Sequence, residues 1–271
     1  MKTHPSLLCF RLLPFVTAVV TLVASLSSVS AQTITIAPGM SPAGGYLALS
    51  GFGVPAVGGV TDNGIFSFST PSYLYAGQTW SSLGFASNGF LVVGSGFTGA
   101  DGAALNQSFP NPVAPNNVLA PFWTNLDPSA GGSLRIATLT DGSNTWIVCD
   151  WGAVRNFGSA TTNSFEVWIG ITGDANPGED ITFVYGALGG STAGLLTVGA
   201  EDITGTIGAN YFYNGVGTMP TNGTQLRVTT NGFLQAVPDG GTNAVLLGLA
   251  LASLLGVQRA LAGRRAASEG A

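Results

Sequence analysis

The sequence predicts an all-β fold: a β-sandwich of jelly-roll type, flanked by an N-terminal signal helix and a C-terminal hydrophobic helix. Three observations carry this expectation. Apolar runs of about five residues recur through the body with period-two alternation, the spacing of strands that turn one face inward. Glycine contributes 40 residues and charged residues only 8% of the chain, against about 25% in ordinary globular domains, a bias towards tight turns and small polar groups. Between the two ends no stretch carries the 3.6-residue apolar stripe of an amphipathic helix.

Residues 1–31 read as a signal peptide. Lys2 and Arg11 precede an apolar stretch at 12–26, and Val29-Ser30-Ala31 supplies the small residues of a cleavage site. Residues 32–59 are rich in Gly, Ala and Pro with an apolar patch at 46–49, and form a lead-in with room for one edge strand. Residues 60–232 are the sandwich, with roughly ten strands. Ile65, Phe66 and Phe68 open a strand that Pro71 should end; residues 80–85 follow, and Ser87-Asn88-Gly89 turns the chain into 90–93. Residues 94–115, with Pro110, Pro112 and Pro115, read as a long surface excursion. A short buried strand at 118–123 comes next. Residues 134–139 and 145–151 then alternate around Asp141-Gly142, a hairpin signal. Phe165, Val167, Ile169 and Ile171 share one face of the next strand, and Ile181, Phe183 and Tyr185 share another after an acidic turn. Residues 195–200, 210–213 and 225–229 supply the closing strands.

Residues 233–243 form a linker holding Val237, Pro238, Asp239, Gly240, Gly241 and Thr242, in which the proline and the glycine pair resist both helix and strand. Residues 244–257 are uncharged and apolar all round, as a helix in lipid should be, and Arg259, Arg264 and Arg265 follow as a basic membrane stop. The uninterrupted run falls short of the roughly 20 residues a span needs, so residues 244–271 cross a bilayer only if Gln258 and Arg259 snorkel. This tail resembles the PEP-CTERM class of sorting signals, nearest to its VPDSG-type variant, with Gly240 where the variant has Ser. The resemblance implies an exosortase-like transpeptidase that recognises residues 237–242. It also implies a route through an inner-membrane intermediate to the cell surface or extracellular matrix of a Gram-negative-type bacterium. The alternative is a permanent single-span anchor.

Without residues 1–31, which contain His4 and Cys9, the chain has no histidine and one cysteine, Cys149. Ser-His-Asp and Cys-His nucleophile systems, His-ligated zinc and His general bases all need an imidazole and are excluded. A single cysteine gives no internal disulfide, so the core must hold the domain. Between residues 32 and 236 the only cations are Arg135, Arg155 and Arg227, against eleven carboxylates. That balance argues against nucleic acid as a partner, because phosphates require a basic footprint.

A second resemblance rests on Ala86-Ser87-Asn88-Gly89-Phe90-Leu91, on the run from Ala114-Pro115-Asn116-Asn117 to Phe122-Trp123-Thr124-Asn125-Leu126-Asp127, and on Val198-Gly199-Ala200-Glu201-Asp202. Over residues 66–213 the chain is similar to an extracellular β module found beside bacterial secreted subtilisin-like proteases and, more distantly, to nidogen-like domains. The likeness implies a fold and carries no catalytic residue.

Asp174, Asn176 and Asp180 offer oxygens around a glycine as calcium loops do, and calcium is the one cofactor the sequence suggests; the alternative is a polar turn. Asp127, Asp150, Glu166, Glu201 and Asp202 could include a glycosidase-type carboxylate pair, although no nucleophile–base pair is recognisable. Cys149 reads as a packed core thiol. Trp146 and Trp168 lie on strand faces opposite Ile147 and Val167. They are therefore either exposed rings able to stack on sugars or part of a second buried face. The expectation is a non-enzymatic, exported structural or adhesive protein, with extracellular polysaccharide as a partner and the membrane engaged through the C-terminal helix before processing. A carbohydrate-binding module is the alternative, and a glycan hydrolase comes third.

Overall fold

The computed structural model describes residues 32–231. The signal segment, the sorting motif at 237–242, the apolar tail and Arg259, Arg264 and Arg265 lie outside the described residues. Among the described residues no helix is long and apolar enough to cross a membrane.

The chain forms β1 (Thr33–Pro38), β2 (Ile65–Tyr75), β3 (Gln78–Ala86), β4 (Phe90–Val93), β5 (Val118–Trp123), β6 (Leu126–Asp127) and β7 (Ser133–Thr140). There follow β8 (Thr145–Asn156), β9 (Thr162–Gly170), β10 (Ile181–Leu188), β11 (Thr197–Glu201), β12 (Gly208–Tyr213), β13 (Val216–Gly217) and β14 (Gln225–Asn231). They make two antiparallel sheets. Sheet one runs β1-β14-β10-β9-β8, with β7 and β6 both along the outer side of β8; sheet two runs β13-β12-β11-β5-β4-β3-β2. The sandwich is as expected, but the jelly-roll type is not. A Greek key brings its returning strand beside the first strand of a meander. Here β11 returns beside β5 and β14 beside β10, the last strand of each meander, so both sheets simply lengthen.

The inter-sheet core follows from strand alternation. Ile147, Cys149 and Trp151 of β8 and Phe165, Val167 and Ile169 of β9 point inward, against Leu83 and Phe85 of β3, Leu91 and Val93 of β4, and Val198 of β11. Trp151 lies edge-on to Phe85 at 4.4 Å and stacked on Phe165 at 4.8 Å between ring centroids. Its indole N–H donates to Ala86 O at 3.0 Å, so this ring buries no unpaired donor.

Both sheets also bury the central part of their outer faces. Every residue of β4 is buried: Leu91 and Val93 inward, Phe90 and Val92 outward against Trp123 and Phe109. Phe109 belongs to the segment between β4 and β5, so the expected surface excursion is instead a cover over sheet two. On sheet one the same role falls to residues 46–54. The lead-in also belongs to the sandwich, because β1 pairs with β14 from Thr33↔Asn231 to Pro38↔Leu226. Pro71 does not end its strand. β2 runs on to Tyr75 with a register shift between Ser69 and Tyr73, and as the edge of sheet two it tolerates a residue without an N–H.

The turn at Ser87-Asn88-Gly89 is fixed by space. Gly89 has φ 83°, and a Cβ there would lie 2.1 Å from Phe122 O. Gly142 has φ 97° but nothing within 4 Å of such a Cβ. Gly89→Ala should therefore destabilise by at least about 2 kcal/mol and Gly142→Ala by about 1 kcal/mol. Urea unfolding midpoints, with unchanged m-values, test the difference.

Candidate functional site on the outer face of sheet one

Trp146, Val148 and Asp150 of β8 alternate outward, as do Glu166 and Trp168 of β9 and Val184 of β10. Asp150 and Glu166 are register partners across β8 and β9, which puts two carboxylates side by side on one sheet face. Over them runs a segment whose only regular structure is a short 3-10 turn, Leu49–Phe52. It binds by donating. Tyr46 OH reaches Asp150 Oδ1 at 2.9 Å, Leu49 N reaches Asp150 Oδ2 at 3.1 Å, and Leu47 N reaches Glu166 Oε2 at 3.1 Å. At its ends Ser41 N donates to Gln225 Oε1 at 2.7 Å, and Arg135 Nε donates to Val54 O at 2.9 Å. The Tyr46 ring occupies space that Gly186 leaves free; a Cβ at that position would be 2.8 Å from the ring.

The segment closes both carboxylates off from water, and Asp150 and Glu166 are each 0% exposed. Burial pushes Glu166 up to about 8; the Trp168 indole and Leu47 N–H donors oppose this, and the Asp150 charge adds to it. Burial likewise raises Asp150 against the pull of Tyr46, Leu49 and Arg135. Glu166 Oε1 is buried without a partner.

Trp146 and Trp168 are brought together, with ring centroids 6.1 Å apart in an edge arrangement, but as parts of a covered face. They are 8% and 3% exposed, so neither is the flat open platform that sugar stacking requires. Their indole donors are occupied as well: Trp146 Nε1 by Asp180 Oδ2 at 3.0 Å and Trp168 Nε1 by Glu166 Oε2 at 3.1 Å. Beside them, a cleft of about 510 Å³ opens between the covering segment and the β7–β8 turn, with Leu47, Phe52, Leu139 and Asp141 among its walls.

The proposed calcium ligands are engaged in holding the fold. Asp174 accepts from Thr145 N at 2.6 Å and Asn176 N at 2.9 Å, and Asp180 pairs with Arg227 at 2.9 Å. Asn176 itself is exposed. Among the described residues no three His, Cys, Asp or Glu side chains group as metal ligands would. Of the other carboxylates, Asp127 caps its own turn through Ser129 and Ala130. Glu201 lies on sheet two, accepts from Asn111 N at 2.9 Å and is pushed by burial up to about 8. Cys149 is a buried core thiol, its pKa raised by burial.

Sequence reasoning placed Asn88 in a turn and in the run that carries the second resemblance, but missed its buried role. It is fully buried, donates to Asn63 Oδ1 and Gly102 O, and accepts from Leu126 N, tying three segments together. A polar residue inside an otherwise apolar run of buried strands was the available signal.

A family model described as NIDO related matches residues 66–225, more than half of the chain, from β2 to the start of β14. β1 and the covering segment lie ahead of the match. No curated protein and no solved structure matches this chain.

With its oxygens engaged, Asp174→Ala should cost about 1 kcal/mol, equally with calcium and with chelator, as read from melting curves. Glu166 and Glu201 give a pH dependence of definite sign. Their folded values near 8 exceed the ordinary 4.5. The unfolded chain therefore releases protons that the folded chain keeps, and stability falls as pH rises from about 4.5 to about 8, by up to about 1.4 kcal/mol per pH unit for each group. Urea midpoints between pH 5 and 9 should show this decline, made shallower by Glu201→Gln.

Proposed function

Because the chain belongs to the NIDO-related family, we propose that it is a non-enzymatic exported protein with a structural or adhesive role at the cell surface or in an extracellular matrix, delivered by an exosortase-type system. The observation that carries this reading is the use to which its reactive side chains are put. Asp150, Glu166, Asp174, Glu179, Asp180 and Asp202 all accept hydrogen bonds from the protein itself. Beyond residue 31 there is no histidine to serve as a base. The fold presents covered faces and strand edges, which suit cohesion and not turnover.

Delivery is supported by the order of features in the tail: a Pro-Asp-Gly-Gly segment, an apolar run, then Arg259, Arg264 and Arg265. Extracellular polysaccharide is the partner proposed for the body. A carbohydrate-binding module is the second reading, favoured by the cleft beside Trp146. In that reading the exposed ring of Phe52, which is 57% exposed, offers the contact surface.

Intact mass and cell fractionation test the first reading. The expected product lacks residues 1–31, ends ahead of residue 271 and fractionates outside the cytoplasm. Full-length chain in the cytosol overturns it. For the second reading, a glycan array should give binding that Phe52→Ala removes, and no binding leaves the structural role alone.

A further inference from the structure

We propose that residues 41–54 are a strap latched over sheet one by Asp150 and Glu166, and that loss of the proton held by this carboxylate pair releases it. Gln225 holds one end of the strap through Ser41 N and Gly44 O and Arg135 holds the other through Val54 O, while its middle is fastened at two side chains. Tyr46 OH, Leu47 N and Leu49 N, consecutive donors along the strap, all end on Asp150 or Glu166. On either side the strap has glycines with open space around them: Gly44 at φ 69° and Gly45 before the latch, Gly51 and Gly53 at φ 71° after it, none with an atom within 4 Å of a built Cβ. Such positions swing at little steric cost. The latch is therefore a short, donor-rich segment between two hinges.

Proton linkage gives the direction. With the strap closed, the two carboxylates are adjacent and fully buried, and the only donors to Glu166 meet Oε2 while Oε1 has none, so a second negative charge is incompletely solvated. With the strap open, water reaches both groups and Glu166 returns to an ordinary carboxylate. Closing takes up a proton, and rising pH favours opening.

Opposing this are the donors Tyr46 OH, Leu47 N, Leu49 N and Trp168 Nε1 and a single cation, against which burial acts more strongly. β7 contributes Arg135, which faces Asp150 and is tied to Val54 O. The strap contributes Tyr46, whose hydroxyl is held neutral by burial and by the Asp150 charge. β10 contributes Thr182 and Val184, neither ionisable, and Asp180 just ahead of it is already paired with Arg227 of β14. Gln225 of β14 is neutral. Opening uncovers Trp146, Val148, Trp168 and Val184, an apolar face that the closed protein hides.

Amide hydrogen exchange of the full chain tests the latch directly, since the Leu47 and Leu49 amides are its donors. Each rate is divided by the intrinsic rate of the same amide in an unfolded peptide at the same pH, so that base catalysis cancels; amides in β3 and β4, which report unfolding of the whole domain, are followed separately. The ratio should rise about tenfold per pH unit between pH 6 and 8 and level off above. Glu166→Gln should flatten it; Glu201→Gln, on the other sheet, should leave the wild-type rise intact. A flat wild-type ratio overturns the proposal. So does a rise that Glu201→Gln makes shallower, because the opening would then be unfolding of the whole domain. Both outcomes are read without the Glu166 variant, should it fail to fold.

Discussion

The constraint on which this fold depends is that it buries carboxylates with almost no cations to meet them. Residues 32–231 contain three arginines and eleven carboxylates, and among the described residues there is a single ion pair, Arg227 with Asp180. Desolvating an unpartnered carboxylate is prohibitive, so hydrogen-bond donors must be brought to it from elsewhere. The donors are mostly backbone N–H groups of irregular segments. Leu47 and Leu49 serve Glu166 and Asp150; Asn111 serves Glu201; Ala76 and Thr230 serve Glu179; Thr206 and Ile207 serve Asp202. Each acid thereby fastens a segment onto a sheet, and the loops are held by acceptors as much as by apolar contact.

This explains why the molecule has more layers than two sheets. The segment between β4 and β5 covers Phe90, Val92 and Trp123 on sheet two; the strap covers Trp146, Val148 and Trp168 on sheet one. Large aromatics can be buried, under such covers or between the sheets, because their polar tips find carbonyls or carboxylates. Trp123 Nε1 reaches Ala103 O at 3.1 Å, Tyr185 OH reaches Pro121 O at 2.6 Å, and Tyr75 OH reaches Glu201 O at 2.8 Å. Polar residues within the span matched by the NIDO-related family do the same work. Asn88 ties together segments around residues 63, 102 and 126, and Asn117 joins Val93 to Asp202 through its side chain and its N–H.

Local pattern in the sequence made the strands legible. β4 and β5 fall at the residues expected, and the alternation in β8 and β9 assigned Ile147 and Val167 to one face and Trp146 and Trp168 to the other. What alternation cannot report is what lies on each face, because the covering chain comes from more than a hundred residues away: Leu47 lies over Glu166, and Leu49 over Asp150. For that reason the two tryptophans read equally well as open or closed. β6 and β13 have two residues each, too short for any period. Pro71 was misleading because a proline's effect depends on whether its strand is an edge, and sheet order is a property of the whole fold. The acidic turn at 174–180 had a calcium-like spacing, but its oxygens are used by Thr145, Thr230, Trp146 and Arg227, all distant or on other strands.

Replacing buried polar groups together with their partners by well-packed apolar side chains is often neutral or stabilising, so the polar latch formed by Glu166, Asp150 and their donors is poorly explained by stability alone. The strap suggests what they add. It is rich in Gly, Ala, Ser and Pro, and only Tyr46, Leu47, Leu49 and Val54 pack apolar side chain against the sheet. Such a segment could slide along a purely apolar face in several alignments of similar energy. Two acceptors fixed by the β8–β9 register admit one alignment, the one that brings Tyr46, Leu47 and Leu49 to them together. The same pair that sets the alignment is destabilised by its own burial. In the proposed latch, a device that specifies the closed state and is released by the loss of a single proton follows from placing acids where few cations are available.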